Sequence, residues 1–171
     1  MGDDSHLTPL YVASLNKHKK VVMRLLLAGA DPDVQTIDGE TPLHAASQKG
    51  HLNIVKRLTR YNENTDIQDN DGKTALILAT WKDHLSVVRV LVAAGANVNI
   101  QGTFSGLTPL HVAIAKNNIK IARLLLMFGA DTRITDSNKQ TARDIAVQWG
   151  HSDMIQLIDQ YRGTDKASAN T

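Results

Sequence analysis

A threonine that recurs at almost constant spacing constrains the fold of this chain more than any other feature. Thr8, Thr41, Thr74, Thr108 and Thr141 lie 33, 33, 34 and 33 residues apart. After each threonine a similar order of residues follows, as in TPLYVASLNKHKKVV, TPLHAASQKGHLNIV and TPLHVAIAKNNIKIA. A fixed period of this length indicates stacked structural units, each of which buries its apolar faces against its neighbours.

Each unit carries the signals of two helices and a turn. Thr-Pro is typical of a helix start, because the hydroxyl caps free N–H groups and proline suits the first helical position. An alanine stands five residues after every threonine, which indicates a place where helices approach closely. Apolar residues such as Ile54, Val55 and Leu58 predict a second helix. The Asp-Gly pairs in VQTIDGE and IQDNDGK then predict tight hairpins between units.

This pattern resembles the ankyrin repeat family, and DGETPLHAASQKGHLNIVKRL at 38–58 is close to the family's full motif. The resemblance implies an all-α solenoid of stacked helix-turn-helix units with β-hairpin fingers. We assign a leader to residues 1–4, repeats to 5–37, 38–70, 71–104, 105–137 and 138–161, and a disordered tail to 162–171. The third repeat has a lengthened finger, QGTFSGLT, and the fifth, TARDIAVQWG, is expected to be the C-terminal cap.

Composition narrows the functional classes. Aromatic residues make up only 4% of the 171 residues, so the core must come from Leu, Ile, Val and Ala. The net charge of +2 gives no case for nucleic acid, which usually leaves a concentrated basic footprint. There is no cysteine, no signal peptide and no apolar stretch long enough to span a membrane. We expect a cytoplasmic or nuclear protein that is not secreted and does not insert into a membrane.

The histidines and the segment TWKDH at 80–84 raise the question of catalysis or metal binding. Four histidines share one position of the repeat, and His44 and His111 share another; the four are His18, His51, His84 and His151. Metal ligands must converge on one ion at ~2.0–2.1 Å, whereas equivalent residues of stacked repeats lie about 8–10 Å apart. We therefore predict histidines that hydrogen-bond the turn backbone, with no metal and no cofactor. No HExxH, GxSxG or phosphate-loop motif is present, so no enzyme is expected.

Two positions at the end of each first helix do not follow the repeat. They hold Leu15, Gln48, Trp81, Ala115 and Gln148, and then Asn16, Lys49, Lys82, Lys116 and Trp149. In the ankyrin family these positions and the finger tips line a concave face that binds partners. The resemblance thus implies eleven partner-binding residues: Ile37, Glu40, Gln48, Lys49, Lys73, Trp81, Lys82, Phe104, Leu107, Lys116 and Trp149. Alternatively, the lysines are solvated residues at a helix edge, Trp149 covers the end of the stack, and Phe104 folds back.

We predict a non-catalytic, monomeric adaptor or scaffold that binds a protein or peptide segment bearing acidic and apolar residues. Trp81 is expected to be the apolar anchor, since tryptophan is enriched at interface hot spots. Two alternatives stay open. One is a targeting or regulatory ankyrin fragment of a larger enzyme, channel or ubiquitin-ligase adaptor. The other is a basic surface for nucleic acid or anionic lipid, suggested by NKHKKVVMR at 16–24. The resemblance also raises hydroxylation of Asn99.

Overall fold

The computed structural model describes residues 6–61 and 64–168, so the predicted leader at 1–4 lies outside the described residues. Ten helices occur in the described ranges, in five consecutive pairs. They are α1 (Pro9–Leu15), α2 (Lys19–Leu27), α3 (Pro42–Gln48), α4 (Leu52–Tyr61), α5 (Ala75–Trp81), α6 (Leu85–Ala93), α7 (Pro109–Ala115), α8 (Ile119–Met127), α9 (Ala142–Gln148) and α10 (Ser152–Ser168). The first helix of each pair has seven residues.

The recurring threonine starts every first helix, as the sequence predicts. In α1 the Thr8 hydroxyl accepts a hydrogen bond from the Tyr11 N–H at 3.1 Å. In α3 the cap is reciprocal: Thr41 Oγ1 accepts from the His44 N–H, and His44 Nδ1 accepts from the Thr41 N–H at 3.1 Å. Such a cap satisfies backbone donors that have no partner inside the helix. The same threonine therefore sets the beginning of each repeat's helix pair.

Each first helix ends in a turn that needs a left-handed backbone. The turn residues have φ from 53° to 71° and are Lys17, Gly50, Asp83, Asn117 and Gly150. At Gly50 a further constraint applies, because a Cβ there would lie 2.8 Å from Cε1 of the His84 ring. This close approach explains the glycine of that turn. The positive φ alone does not require glycine, because Asp83 occupies the equivalent turn position at φ 58°.

The chain divides into two compact units, residues 1–97 and 98–171. In the first unit α3 packs between α1 and α5, and α4 packs between α2 and α6. First and second helices therefore form two layers there. In the second unit α7 packs on α9, and α8 packs on α10. The alanine that follows each threonine by five residues is buried in every repeat. This burial confirms that the position lies where helices approach closely. The five residues are Ala13, Ala46, Ala79, Ala113 and Ala146.

The segments between repeats form hydrogen-bonded turns, and the predicted β-hairpin fingers are not confirmed. In the first finger the Thr36 N–H donates to Glu40 O at 2.9 Å. The Gln35 side-chain amide then donates to Gly39 O at 2.7 Å, in place of a backbone N–H from an opposing strand. Within the described residues the only strand-type pairing is an isolated bridge between Thr135 and Thr141. The fold is all-helical, with turns as fingers.

Two segments differ in length from their equivalents. In the lengthened finger Gly102 N–H donates to Leu107 O at 3.1 Å, so that this turn closes over one residue more than the turn from Thr36 to Glu40. Helix α10 continues to Ser168. Residues 162–168 are thus helical, where the sequence predicts a disordered tail, and the rest of that tail, 169–171, lies outside the described residues. Lysine and alanine in DKASA have high intrinsic helix propensity, which favours this continuation.

Candidate functional site

In the first unit the predicted binding positions lie at the carboxyl ends of the first helices. Gln48 and Trp81 are the last residues of α3 and α5, and Lys49 and Lys82 are the residues that cap these helices. Trp81 is 49% exposed, and both lysines are exposed. A cation at this place is favourable, because the partial negative charge of a helix dipole lies at its carboxyl end. The scaffold therefore accommodates these lysines at no electrostatic cost.

A finger residue lies beside the last residue of the first helix of the same repeat. The second unit shows this directly, since Gln140 Nε2 donates to Gln148 Oε1 at 2.9 Å. Lys73 and Trp81 occupy the same two positions in the third repeat, eight residues apart as Gln140 and Gln148 are. Lys73 is thus the finger residue equivalent to Gln140, and Lys82 follows Trp81 directly in the chain.

In the first unit the two charged residues predicted on the fingers, Glu40 and Lys73, already have partners. Glu40 accepts a short hydrogen bond from the hydroxyl of Tyr11, and this bond joins α1 to the next finger. Burial, and then the bond to Glu40, raise the pKa of Tyr11 well above its usual range. Lys73 Nζ forms an ion pair with Asp71 Oδ2 at 2.6 Å. The carboxylate of Glu40 thus links two repeats over 29 residues, the same spacing that separates His44 from the Lys73 carbonyl to which it donates.

The tip of the first finger presents an apolar side chain. Ile37 is 60% exposed, while its carbonyl accepts a hydrogen bond from Asn70 Nδ2 at 2.9 Å. The Asn70 N–H also donates to Asp38 O at 3.0 Å. These two bonds connect successive fingers, so that the backbone that carries Ile37 is supported by its neighbour.

The remaining predicted residues belong to the second unit. Phe104 is 76% exposed in the lengthened finger, Leu107 is partly buried, and Lys116 is the exposed residue that caps α7. Trp149 caps α9, is 62% exposed, and its ring centroid lies 6.3 Å from that of His151 in a tilted arrangement. Trp149 thus contacts a scaffold residue on one side and leaves most of its surface accessible.

Three of the four histidines at the first shared position hydrogen-bond the scaffold, as the sequence predicts; they are His51, His84 and His151. His51 Nε2 donates to Leu15 O at 3.2 Å, and His84 Nε2 donates to Gln48 O at 3.1 Å. Each of these bonds ties a helix turn to the preceding repeat. The described residues of the second unit show the same bond from His151 Nδ1 to the Ile114 carbonyl at 3.0 Å. His84 in TWKDH is therefore a scaffold residue and not part of an acid/base pair.

The second histidine position is more deeply buried. His44 accepts at Nδ1 from the Thr41 hydroxyl at 2.8 Å and donates through Nε2 to Lys73 O at 3.0 Å. Burial lowers the pKa of His44, which favours the neutral ring. The hydrogen bonds then place the proton on Nε2, because Nδ1 accepts and the Lys73 carbonyl needs a donor. Burial also lowers the pKa of His111, whose Nδ1 accepts from Thr108 in the same way. Both rings thus cap a helix.

A sequence comparison decides the family. The family model of ankyrin repeats (three copies) matches residues 10–102 and 97–170, well over half of the chain. The chain belongs to the ankyrin repeat family. Ankyrin repeats are protein-interaction modules, and an all-helical stack of helix pairs is the fold that the resemblance implied.

Curated relatives of this ankyrin-repeat protein match over short segments. Potassium channel AKT3 of Oryza sativa subsp. japonica is 49% identical over 49 residues, which are 29% of this chain and 5% of the channel. ARF GTPase-activating protein GIT2 of Mus musculus is 44% identical over 63 residues, 36% of this chain and 9% of that protein. Notch-regulated ankyrin repeat-containing protein B of Danio rerio is 38% identical over 50 residues, 29% of this chain and 45% of that protein. In each case the match spans less than two thirds of the relative's length.

The described part of the ankyrin-repeat protein has neither a metal centre nor a membrane-spanning helix. No group of three or more histidine, aspartate or glutamate residues is placed there to hold a metal ion. None of the helices in the described ranges combines the length and apolar character needed to cross a bilayer. Among the predicted binding residues of the first unit, the exposed aromatic side chain is that of Trp81.

Sequence reasoning missed one set of residues that organises the fingers. Gln35, Gln68 and Gln101 each donate from the side-chain amide to a carbonyl of their own turn, at 2.6 to 2.7 Å. Gln35 also donates to Gln68 O at 3.1 Å, which connects adjacent fingers. These glutamines lie 33 residues apart, so the repeat period contains the signal that identifies them.

Proposed function

We propose that this ankyrin-repeat protein is a non-catalytic interaction module that binds a protein or peptide segment in which acidic residues flank an apolar or aromatic residue. The observation that carries the proposal is the 49% exposure of Trp81 at the end of α5. Other repeats have Gln48 and Ala115 at this position, so the scaffold does not require an indole. A large, rigid and half-exposed aromatic side chain is typical of an interface hot spot.

Electrostatics favour an acidic partner. Lys49 and Lys82 cap successive first helices of the first unit, and Lys73 is a finger residue of the repeat that contains Trp81. A carboxylate beside the aromatic residue of a bound segment would meet one of these ammonium groups. Charges at an interface rim mainly raise the association rate and set the partner's chemistry. Trp81 would supply affinity, and the lysines would supply selectivity.

The first experiment selects ligands from a random peptide display library on the immobilised chain. We expect enriched peptides to contain aspartate or glutamate next to an aromatic or large aliphatic residue. Trp81→Gln introduces the side chain of the equivalent Gln48 and should weaken binding by about thirtyfold, the usual cost of a hot-spot residue. Tyr61→Gln is the matched control, because Tyr61 is similarly exposed, at 47%, on a second helix.

A separate variant tests the electrostatic contribution to peptide binding. Lys82→Asn places at this helix cap the residue that α1 has in Asn16. We expect weaker binding at low salt and a smaller difference at high salt, because salt screens exposed charges. Peptides rich in lysine or arginine, or equal binding by wild type, Trp81→Gln and Tyr61→Gln, would contradict the proposed site.

The second unit needs a separate test of its predicted residues. Phe104→Ala and Trp149→Ala remove its two most exposed aromatic side chains, and Lys116→Asn removes the cation that caps α7. If this unit takes part in binding, at least one of the three variants weakens capture of the selected peptides. Unchanged circular dichroism spectra would show that the scaffold is intact.

A second candidate is a regulatory or targeting module within a larger polypeptide. The matched segments of the channel and of the GTPase-activating protein are 5% and 9% of those proteins, which favours this alternative. Immunoblotting of native lysate with an antibody against this chain tests it. A band much larger than 18.7 kDa supports the alternative, and a band at that mass contradicts it.

Cell fractionation with the same antibody tests the cytoplasmic or nuclear location that we propose.

A further inference from the structure

The second helices of the first unit carry positive charge only. Lysine or arginine occurs three times in α2, three times in α4 and once in α6, and none of these helices contains aspartate or glutamate. We call these seven residues the outer basic surface: Lys19, Lys20, Arg24, Lys56, Arg57, Arg60 and Arg89. All are exposed except Arg57, which is partly buried. None of them forms an ion pair with another described residue.

Most carboxylates among the described residues of the same unit lie elsewhere, in the turns between repeats; Asp83 lies in the turn between α5 and α6. Residues 31–40 contain four acidic residues and no cation, and residues 64–73 contain three acidic residues and Lys73. The whole chain is nearly neutral at a net charge of +2, so the outer basic surface reflects segregation of charge and not an excess of it. A charge distribution of this kind orients a molecule on an oppositely charged surface.

The stability of the helices does not account for most of these cations. Lys20 and Arg24 in α2 are four residues apart, as are Lys56 and Arg60 in α4, and like charges at this spacing destabilise a helix. Lys19 and Lys20 also stand in the first turn of α2, where the helix dipole disfavours positive charge. Arg24 and Arg60 stand in the last turns of α2 and α4, where the dipole favours a cation, so helix ends account for two of the seven residues. The remaining cations have no such explanation, which indicates a role toward a binding partner.

Apolar side chains are exposed among the cations. Leu27 is 68% exposed, Tyr61 is 47% exposed, Val21 is 46% exposed and Met23 is 37% exposed. Leu27 and Arg60 occupy equivalent positions of neighbouring repeats, and α2 packs against α4. Cationic and apolar groups thus alternate on a single face, built from helices that pack side by side. Such a mixture is typical of helices that lie in the interface of an anionic membrane.

We propose that the outer basic surface binds peripherally to a membrane that contains anionic phospholipids. The cations would meet lipid phosphates and carboxylates, and Leu27, Met23 and Tyr61 would enter the headgroup region beside them. A nucleic acid offers negative charge but no apolar layer for an exposed leucine. An acidic peptide would need its own apolar residues in register with those of two helices. The combination of exposed Leu27 with seven cations therefore favours the lipid surface.

Vesicle flotation with the full chain tests this surface. The probes are vesicles of phosphatidylcholine alone and vesicles of phosphatidylcholine with phosphatidylserine, and we expect binding only to the second kind. Arg24→Gln/Arg57→Gln/Arg60→Gln should lower the affinity by about a hundredfold, since each basic residue near an anionic surface contributes about fivefold. The charge-matched control is Lys49→Gln/Lys73→Gln/Lys82→Gln, which removes three cations from the proposed peptide site and should retain most of the affinity.

A second pair of variants tests the apolar contribution. Leu27→Ser should weaken vesicle binding by about tenfold, and the loss should persist at high salt. Met127→Ser is its control, because Met127 is 65% exposed on a helix of the second unit. Thermal unfolding of every variant checks that these surface changes leave the fold intact.

The possible results separate the membrane from other polyanions. Selective loss in the outer triple variant and in Leu27→Ser supports the proposal. Equal loss in both triple variants would mean that net charge alone drives adsorption, and this would overturn it. So would unchanged binding by Leu27→Ser, or binding of duplex DNA through the same arginines without binding of phosphatidylserine vesicles.

Discussion

The buried histidine at the start of α3 makes a sharp prediction about stability and pH. His44 is 1% exposed and holds two backbone groups: it accepts from the Thr41 N–H at 3.1 Å and donates to Lys73 O at 3.0 Å. The equivalent position in α5 holds Ile77. His44→Ile therefore introduces a side chain that this scaffold already accepts, while it removes both hydrogen bonds.

The expected loss of stability follows from the two groups left without a partner. A buried donor or acceptor that loses its partner costs about 1–3 kcal/mol. Burial of the added apolar surface of isoleucine offsets part of this cost, at about 25 cal/mol per Å². We expect His44→Ile to lower the free energy of unfolding by about 2 kcal/mol at neutral pH, most of it from the lost hydrogen bonds.

The pH dependence distinguishes the hydrogen bonds from packing. Burial lowers the pKa of His44 in the folded state, whereas the unfolded chain titrates near 6.5. The unfolded state binds more protons below that pH, so the stabilisation is present above pH 6.5 and is lost as the pH falls below it. Each such histidine contributes at most about 1.4 kcal/mol of loss per pH unit. His111 adds a second contribution of the same sign.

Urea unfolding followed by circular dichroism at pH 7.5, 6.5 and 5.5 measures both effects. The wild type should lose stability as the pH falls, and His44→Ile should lose less because only His111 then remains of this pair. Ile77→Ala, which removes apolar packing at the equivalent position, should be destabilised but keep the pH dependence of the wild type. If His44→Ile shows the same pH dependence as the wild type, the assignment of a neutral, buried His44 is wrong.

Two further predictions concern contacts between repeats. Gly50→Ala and Gly29→Ala both place a Cβ at positive φ, but a Cβ at Gly50 meets the His84 ring at 2.8 Å and one at Gly29 meets nothing within 4 Å. Thermal unfolding should therefore show Gly50→Ala to be less stable than Gly29→Ala by about 1–2 kcal/mol, and equal losses would contradict the close approach. Tyr11→Phe removes the hydrogen bond to Glu40 and should cost about 2 kcal/mol in urea unfolding, as expected for a bond to a charged group. In a Glu40→Gln background, where the acceptor is neutral, the same change should cost less.

The repeat period made most of the scaffold predictable from the sequence. Residues at equivalent positions of successive repeats occupy the same kind of local environment. The threonine caps, the alanine contacts and the histidine bonds could therefore be inferred without coordinates. The fingers could not be inferred in the same way. Their Asp-Gly pairs predict a hairpin, but Gln35 and Gln68 satisfy the turn carbonyls from their side chains, and strand pairing is replaced.

The chemistry of one repeated contact could not be inferred. The positions of Tyr11 and Glu40 are occupied in the next repeat by His44 and Lys73, where the histidine donates to a backbone carbonyl, whereas Tyr11 donates to a carboxylate. The outer basic surface was found only in part, because Lys56, Arg57 and Arg60 belong to another repeat than the basic stretch at 16–24. Knowing that α2 packs on α4 joins the two clusters into one face. That step depends on packing and not on any local pattern.

The residue type varies between repeats at the predicted binding positions, and the backbone explains why this variation is tolerated. At the cap of each first helix the N–H donates to the carbonyl four residues earlier, at 3.0 to 3.1 Å, whether the residue is Asn16, Lys49, Lys82, Lys116 or Trp149. The cap N–H therefore makes the same backbone hydrogen bond whichever residue occupies the position. Trp81 stands one residue before such a cap, at a position that glutamine, leucine and alanine also occupy. Since side chains of such different size and polarity are accepted there, Trp81→Gln should leave the fold intact, and it therefore tests the binding role that we propose for Trp81 separately from stability.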